Sequence, residues 1–367
     1  MIAGRDDLVA ITADPDDDRD QWAAERLAGI GGSDAAAVMG EDPYRGPIDV
    51  WQERVTGALA KPDDVRTIGG RWLEPKVLDA FGVGGVEWPR QGGPLAIVRP
   101  PTVYRRDRPW QRGSADSLAY APERLSWLAI GPGLAINISG GRALALKPDA
   151  LVEVKTHGWF GSKGYDLSDD GDPIIAVPPA KRIQCAWYME LFDVDLCYLA
   201  ALVDTHHRKT FALQRDRELG AMVLEEVERF WTRYVLTGEP PPIDGSARYT
   251  AFLRERYRKH GPDLVGSTAQ VDLAVESLQA IKADQKRLKA EAELAEQVVK
   301  AHIGENAGIR TAHGVVTWKS QASGKLRDRE ARDALYLQLG WTDAEILEFE
   351  ARYAQPDHRV LRLPKVK

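Results

Sequence analysis

An α/β fold followed by a mainly helical extension is what this chain predicts, on three observations. Val152 to Thr156 alternates β-branched Val152, Val154 and Thr156 with Glu153 and Lys155, which marks a strand. A helical pattern from Ala180 to Phe192 follows, with Ile183, Trp187 and Leu191 spaced as one buried stripe, and Cys197 to Val203 then reads as another strand. Beyond Pro240-Pro241-Pro242 the chain turns to Ala, Glu, Lys and Leu, the composition of long helices.

Taken in order, residues 1–20 read as an acidic, mobile lead-in, with acid concentrated from Asp14 to Asp20. A helix begins at Trp22 and stops at Gly29; a glycine-rich turn and a second helix follow, and Asp49 to Thr56 extends the helical reading. Trp72 to Phe81 supports another short helix, whose Pro75 is tolerable only in the first turn. Gly82 to Leu118, rich in Gly, Pro and aromatics, reads as irregular with short strands, and residues 121–148 as an inserted hairpin or loop. After a loop around Asp166 to Asp172, Pro178-Pro179 introduces the helix that carries Lys181, Gln184 and Tyr188 on one face. Glu218 to Thr237 is a long amphipathic helix ended by Gly238 and the proline run, the best linker in the chain.

Val271 to Ile303 reads as a long helix with Leu278, Ile281, Leu288, Ala292, Ala295 and Val299 near a seven-residue rhythm, favoured as packed on its own domain over an oligomer-forming coil. A hairpin around Ala312-His313-Gly314 and a capping box at Thr342-x-x-Glu345 complete the tail. The expected organisation is a lead-in over 1–20, one main domain over 21–238 and an extension over 239–367.

At 367 residues, 44% hydrophobic and 28% charged, the chain can bury a sizeable core without covalent staples. Cys185 and Cys197 supply neither a disulfide framework nor zinc-ligand spacing, which fits a reducing, cytoplasmic setting. No window reaches the apolar length of a membrane span, and the first residues lack the basic flank of a signal peptide. A net charge of −6 argues against a nucleic-acid partner only if charge is spread evenly. It is not: Arg105, Arg106, Arg108 and Arg112 gather around Trp110, immediately before Asp116.

In Glu153-Val154-Lys155 the acid and the base share one face of the strand. Glu-x-Lys alone is a common solvated strand face, so its neighbours decide. They come in order: Arg26 to Ala36 with Gly31-Gly32-Ser33-Asp34, then Asp42-Pro43-Tyr44, Val50 to Glu53, Leu73-Glu74-Pro75, Gly113 to Asp116, Glu153 to Lys155, and the helix bearing Gln184. From about Trp22 to about Val203 this series resembles the YqaJ-type viral recombinase family, to which lambda exonuclease is related.

The resemblance implies a PD-(D/E)xK, restriction-endonuclease-like core, a central mixed sheet flanked by helices. It implies a metal-dependent deoxyribonuclease acting 5′ to 3′ on double-stranded DNA ends and leaving 3′ single-stranded tails for phage-type recombination. Mg2+, with Mn2+ as a substitute, would be held by Asp116, Glu153 and the Val154 carbonyl, with Glu74 contributing through water, as befits a hard cation. Lys155 would orient and help deprotonate the attacking water, and Gln184 would position water or phosphate. Arg26, Ser33 and Ser114 match positions that hold a DNA 5′-phosphate; Ser33 equally reads as a plain helix cap. Arg105, Arg106, Arg112, Lys181 and Tyr188 are further DNA contacts, and a homo-oligomeric ring and a single-strand annealing partner are implied as well.

The interval from Asp116 to Glu153 is long for the family and leaves Asp149 a rival metal ligand, against its reading as turn chemistry before a strand. Two cysteines cannot provide the four thiolates of an iron–sulfur nuclease. An endonuclease of the same core, or an end-binding scaffold with weak chemistry, remains open.

Overall fold

The computed structural model describes residues 7–11, 19–57, 65–124, 136–137, 146–157, 165, 176–203, 207–321, 335–336, 338–346 and 358–362. They fall into two units, Met1–His260 and Gly261–Lys367. The first carries β1 (Leu8–Ala10), α1 (Arg19–Leu27), α2 (Gly32–Val38), α3 (Pro47–Thr56), α4 (Val65–Val83), β2 (Ala96–Arg99), β3 (Val103–Arg105) and β4 (Arg112–Gly113). It continues with β5 (Ser117–Tyr120), β6 (Ile136–Asn137), β7 (Ala150–His157), α5 (Pro179–Phe192), β8 (Leu196–Val203), β9 (His207–Gln214), α6 (Arg217–Phe230) and α7 (Ala247–Arg256).

Six strands form one mixed sheet in the order β6-β2-β5-β7-β8-β9. β7 sits inside it, antiparallel to β5 and parallel to β8. The parallel pair requires a crossover, and α5 provides it. Alternation along β7 divides the core. Ala150, Val152 and Val154 pack with Val77, Leu78 and Phe81 of α4 on one side, while Leu151 joins a larger cluster with α2, α5 and α6 on the other. Glu153 and Lys155 share the Leu151 side, so the polar pair is turned toward α5. The expected mixed sheet flanked by helices is therefore present.

Several expectations need correction. Residues 8–10 are not a loose lead-in: Leu8, Val9 and Ala10 pair with Arg105, Tyr104 and Val103 of β3, and Leu8 and Ile11 are buried. α4 starts at Val65 rather than near Trp72, placing Pro75 in the helix interior. Proline there cannot donate the usual bond to the carbonyl four residues back. β9, not read from the sequence, pairs with all of β8, and its exposed His207, Arg208, Ala212 and Gln214 alternate with buried Phe211 and Leu213 only near its end. The helix expected to run to Thr237 closes instead with a π-turn over Trp231–Val235.

The proline run does not end the first unit. Tyr249 donates its hydroxyl to the Pro241 carbonyl at 2.9 Å, Phe252 packs edge-on against Trp51 at 5.7 Å, and Arg248 donates to the carbonyls of Pro43 and Tyr44. These contacts fold residues 239–260 onto the first unit, whose limit is His260. Of the insertion over 121–148, residues 121–124, 136–137 and 146–148 are described, and β6 pairs with β2 at the sheet edge; the expected loop from Asp166 to Asp172 lies outside the described residues.

The second unit carries α8 (Ala269–Ile303), β10 (Gly308–Thr311), β11 (Gly314–Gln321) and β12 (His358–Arg362), the strands forming an antiparallel sheet in that order. The hairpin and the Thr342–Glu345 capping box stand where expected. Packing of α8 on its own domain does not: of its residues only Ile303 is buried. Among the described residues no helix is long and apolar enough to cross a membrane.

Candidate active site

The register of β5 on β7 pairs Ser117 with Val152, so Asp116, one residue earlier, comes opposite Glu153, one residue later. Asp116 Oδ2 accepts the backbone N–H of Val154 at 2.7 Å. Glu153 is 2% exposed, and its Oε1 accepts both Lys155 Nζ and Gln184 Nε2 at 2.5 Å. Its Oε2 is buried and has no hydrogen-bond partner among the described residues. β7 thus brings Glu153 and Lys155, the residue before β5 brings Asp116, and the crossover helix brings Gln184 to the same point.

This is a costly arrangement. Burial and then the Asp116 charge push the Glu153 carboxyl up to about 7. Asp116 is raised by burial, against the lowering pull of Lys155 and of the Val154 amide. Glu74, on α4, is raised by burial and then by Asp116, although Arg99 is ion-paired with it. Burial alone would discharge Lys155; the Glu153 and Asp116 carboxylates override it and raise its pKa, so it stays an ammonium. Lys181 is half-buried, and its pKa is lowered by burial and by the charge of Lys155, which puts it at the same locus one turn before Gln184.

An orphaned buried carboxylate oxygen beside a second carboxylate, each disfavouring the other's charge, fits a hard divalent cation. Among the described residues no three His, Cys, Asp or Glu side chains converge. An ion here is therefore a matter of Asp116 and Glu153 with the Val154 carbonyl and water, Glu74 being engaged by Arg99. The rival Asp149 is placed otherwise. Its Oδ2 accepts the Ala121 amide at 2.8 Å, Arg124 is paired with its other oxygen, and it precedes β7 at the end away from Lys155.

The three residues matched to the phosphate positions lie on adjoining segments. Ile30 donates to the Trp110 carbonyl at 2.7 Å and accepts from Arg112 at 2.9 Å, zipping residues 29–32 beside 110–113. Gly32 and Gly113 then both abut the Tyr188 ring: a Cβ on either would come within 2.8 or 2.9 Å of it. Ser33 and Ser114, next in each segment, are half-buried and exposed, and Arg26 is exposed in the last turn of α1. Tyr188 itself is buried, 6% exposed, so it is packing beneath this surface rather than a DNA contact.

Beneath the same turn lies a cluster that the sequence reading did not single out. Asp34, fully buried, is ion-paired with Arg54 and with Arg45 at 2.7 Å, and accepts the Gly31 amide at 3.2 Å. Arg54 also donates to the Gly29 carbonyl at 2.8 Å, and Arg45 to Glu53 at 2.6 Å. Burial alone would raise the Asp34 pKa; Arg54, Arg26 and Arg45 outweigh it and hold the carboxyl well below its ordinary value. The available signal was the aspartate at the third position of a helix opened by two glycines.

The arginine run is only partly available to a ligand. Arg105 is paired with Asp7 and Asp107, and Arg112, 11% exposed, donates to the Glu25 and Pro109 carbonyls and stacks on Tyr104. Both tie elements together. Arg106 is exposed.

Residues 21–84 match the YqaJ-like viral recombinase domain, and the resemblance read from the ordered motifs is borne out. An uncharacterised YqaJ protein of Bacillus subtilis (strain 168) is 23% identical over 320 residues, 86% of this chain and 88% of that one. Among solved structures, an alkaline exonuclease from Laribacter hongkongensis is 16% identical and matches 64% of this chain and 98% of its own, with a TM-score of 0.40. A phage-related exonuclease from Haemophilus somnus 129PT is 15% identical, covering 59% and 97%, at 0.39.

Proposed function

We propose that this chain is a divalent-metal-dependent deoxyribonuclease that degrades duplex DNA from 5′ ends and leaves 3′ single-stranded tails. The observation that carries it is the Asp116–Glu153–Lys155–Gln184 group around the buried Glu153, one of whose oxygens is unpartnered among the described residues. The match to a viral recombinase domain supports the end-processing, recombination-linked reading.

Phosphodiester hydrolysis needs an aligned water and neutralisation of charge as it builds on phosphorus. A divalent cation, Mg2+ by the hardness of the ligands or Mn2+ in its place, supplies Lewis acidity when bound. Asp116, Glu153 and the Val154 carbonyl would hold it, and Glu74 would contribute through water only if its pairing with Arg99 gave way. Lys155, whose pKa is raised by its carboxylate neighbours, would orient the attacking water, help it lose its proton through its positive charge, and face the phosphate. Gln184 fixes the Glu153 rotamer and aligns water or phosphate from α5. Lys181 adds positive charge where the backbone would pass, and Arg106 adds it further out.

Arg26, Ser33 and Ser114 form the terminal-phosphate pocket in this reading, with guanidinium and hydroxyl donors suited to phosphate oxygens. DNA ends are the substrate, a ring-shaped homo-oligomer would keep the enzyme on its track, and a single-strand annealing protein would take the product.

Linear duplexes labelled at one 5′ or one 3′ end, with and without 5′-phosphate, tested beside closed circular plasmid in Mg2+ and in EDTA, decide the matter. Mg2+-dependent loss from 5′-phosphorylated ends with intact circles is expected. Nicked circles would replace the reading with an endonuclease, and retention of DNA ends without cleavage would replace it with a scaffold.

A further inference from the structure

Within the second unit, the strands differ from the helix in charge. Over Ala269–Ile303, α8 carries six acids and five Lys or Arg, and Arg287 and Lys300 are ion-paired along it, to Asp284 and Glu291 and to Glu296. β10, β11 and β12 carry Arg310, Lys319, Arg359 and Arg362 and no acid at all.

Alternation and register gather most of that charge on one face of the sheet. Val316 is buried, which makes its side the inner one; Ile309 stands opposite Val316 and Trp318 lies two residues on, so both belong to the inner side. Arg310 is paired in register with Val315 and lies on the outer side, with Thr317 and Lys319 farther along β11. Arg362 stands opposite Thr317, which puts it on the outer side as well. Arg310, Val315 and Lys319 are exposed, Val315 to 51%, and among the described residues neither Arg310 nor Lys319 is ion-paired. Same-face residues are about 6.8 Å apart along a strand and neighbouring strands about 4.8 Å apart, so the three cations mark a diagonal stripe roughly 14 Å long.

We propose that this outer face binds single-stranded DNA through its phosphates. A stripe of cations with no acid in the same strands complements a phosphate chain. The exposed Val315 among them suits DNA whose bases are uncovered, whereas a duplex offers phosphates and hides its base faces. Trp318 belongs to the inner side, so the outer face has no aromatic platform among the described residues and its binding is electrostatic, indifferent to base sequence. The 3′ tail of the proposed reaction is the single strand at hand, and to that extent the inference rests on the nuclease reading.

Anisotropy of a fluorescein-labelled single-stranded oligonucleotide without 5′-phosphate, titrated with the full chain in EDTA across a salt series, tests this without turnover. R310A/K319A is expected to weaken binding on the order of 10-fold and to flatten the slope of log affinity against log salt by about 1.4, the share of two phosphate contacts on a single strand. R310K/K319R keeps both charges and should bind as wild type does, which separates a lost contact from a lost fold. R287A/K300A removes the same charge from α8 and should leave the affinity unchanged. A wild type that does not bind the oligonucleotide, or an R310A/K319A protein that binds it as tightly as wild type, overturns the proposal. Tighter binding of duplex, lost in the same variant, overturns the single-stranded occupant, and release of the oligonucleotide by polyglutamate as readily as by unlabelled DNA replaces it with an acidic protein surface. Because the readout needs no cleavage, a chain inactive in Mg2+ whose anisotropy still depends on Arg310 and Lys319 would overturn the nuclease reading and leave this site standing.

Discussion

Two buried acid clusters lie close together in the first unit, and they are charged in opposite ways. Around Asp34, two arginines donate directly and a third adds its field, so the carboxyl is held far below its ordinary value. Around Glu153 and Asp116, Lys155 is the ion-paired cation and Lys181 and Arg99 add only their fields, so burial prevails and Glu153 is pushed up to about 7. A cluster that neutralises itself is architecture: it pins the Gly29–Ser33 turn through the Gly31 amide and the Gly29 carbonyl. A cluster in which burial outweighs the surrounding positive charge, with a Glu153 oxygen unpartnered among the described residues, has the perturbed electrostatics expected of a working site. The contrast separates folding electrostatics from working electrostatics within one fold.

The largest effect should come from neutralising the undercharged cluster. D116N, E153Q and K155M are each expected to lower cleavage of linear duplex on the order of 10^3-fold or more while leaving the fold intact, as removal of transition-state charge stabilisation does. Neutralising the self-compensated cluster should do the reverse. D34N leaves Arg54, 1% exposed, with only its longer 3.2 Å pairing to Glu53, and should cost about 3 kcal/mol in denaturant unfolding. A D34N protein of unaltered stability would mean that the arginines, rather than the acid, hold the turn.

How far the sequence showed these clusters follows from the kind of signal each leaves. Glu153 and Lys155 were legible because a strand alternates faces, and Asp116 and Gln184 because an ordered series of motifs surrounds them. The Asp34 cluster was not, because Arg45, Arg54 and Glu53 meet only after α2 and α3 fold together; no local spacing encodes that. Tyr188 shows the same limit from the other side. Its helical position put it on the polar face with Lys181 and Gln184, but Gly32 and Gly113 let two backbones close over its ring. Strand β9 escaped because its first half, His-Arg-Lys-Thr, reads as polar, and the β8 pairing that fixes it is a tertiary fact.

The clusters should also part with pH. Glu153 has a folded pKa above its ordinary 4.5, so the neutral acid favours folding. That contribution is whole below pH 4.5 and is lost as pH rises through about 7. Asp34 has a depressed pKa; its contribution is whole above its ordinary 3.8 and is lost as pH falls below that. In EDTA, E153Q should therefore unfold at higher denaturant than wild type above pH 7, by on the order of 1–3 kcal/mol, and converge with it near pH 4.5. Added Mg2+ should close that gap by stabilising wild type alone. Equal stability of the two proteins across this range would place the charge strain somewhere other than Glu153.

The smallest effect is the one that discriminates most finely between the two aspartates before and at the sheet. Asp149 is 42% exposed, and it is spent on the Ala121 amide and Arg124, as a turn residue is. D149A removes a hydrogen bond and a solvent-screened ion pair, and should cost about 0.5–1 kcal/mol with cleavage within a few-fold of wild type. Asp116 differs because its carboxylate is set against the Val154 amide, in register with Glu153. If D149A instead abolished cleavage while D116N did not, the charge-deficient cluster would be organised around the turn before β7, and the metal would be held at the opposite end of that strand.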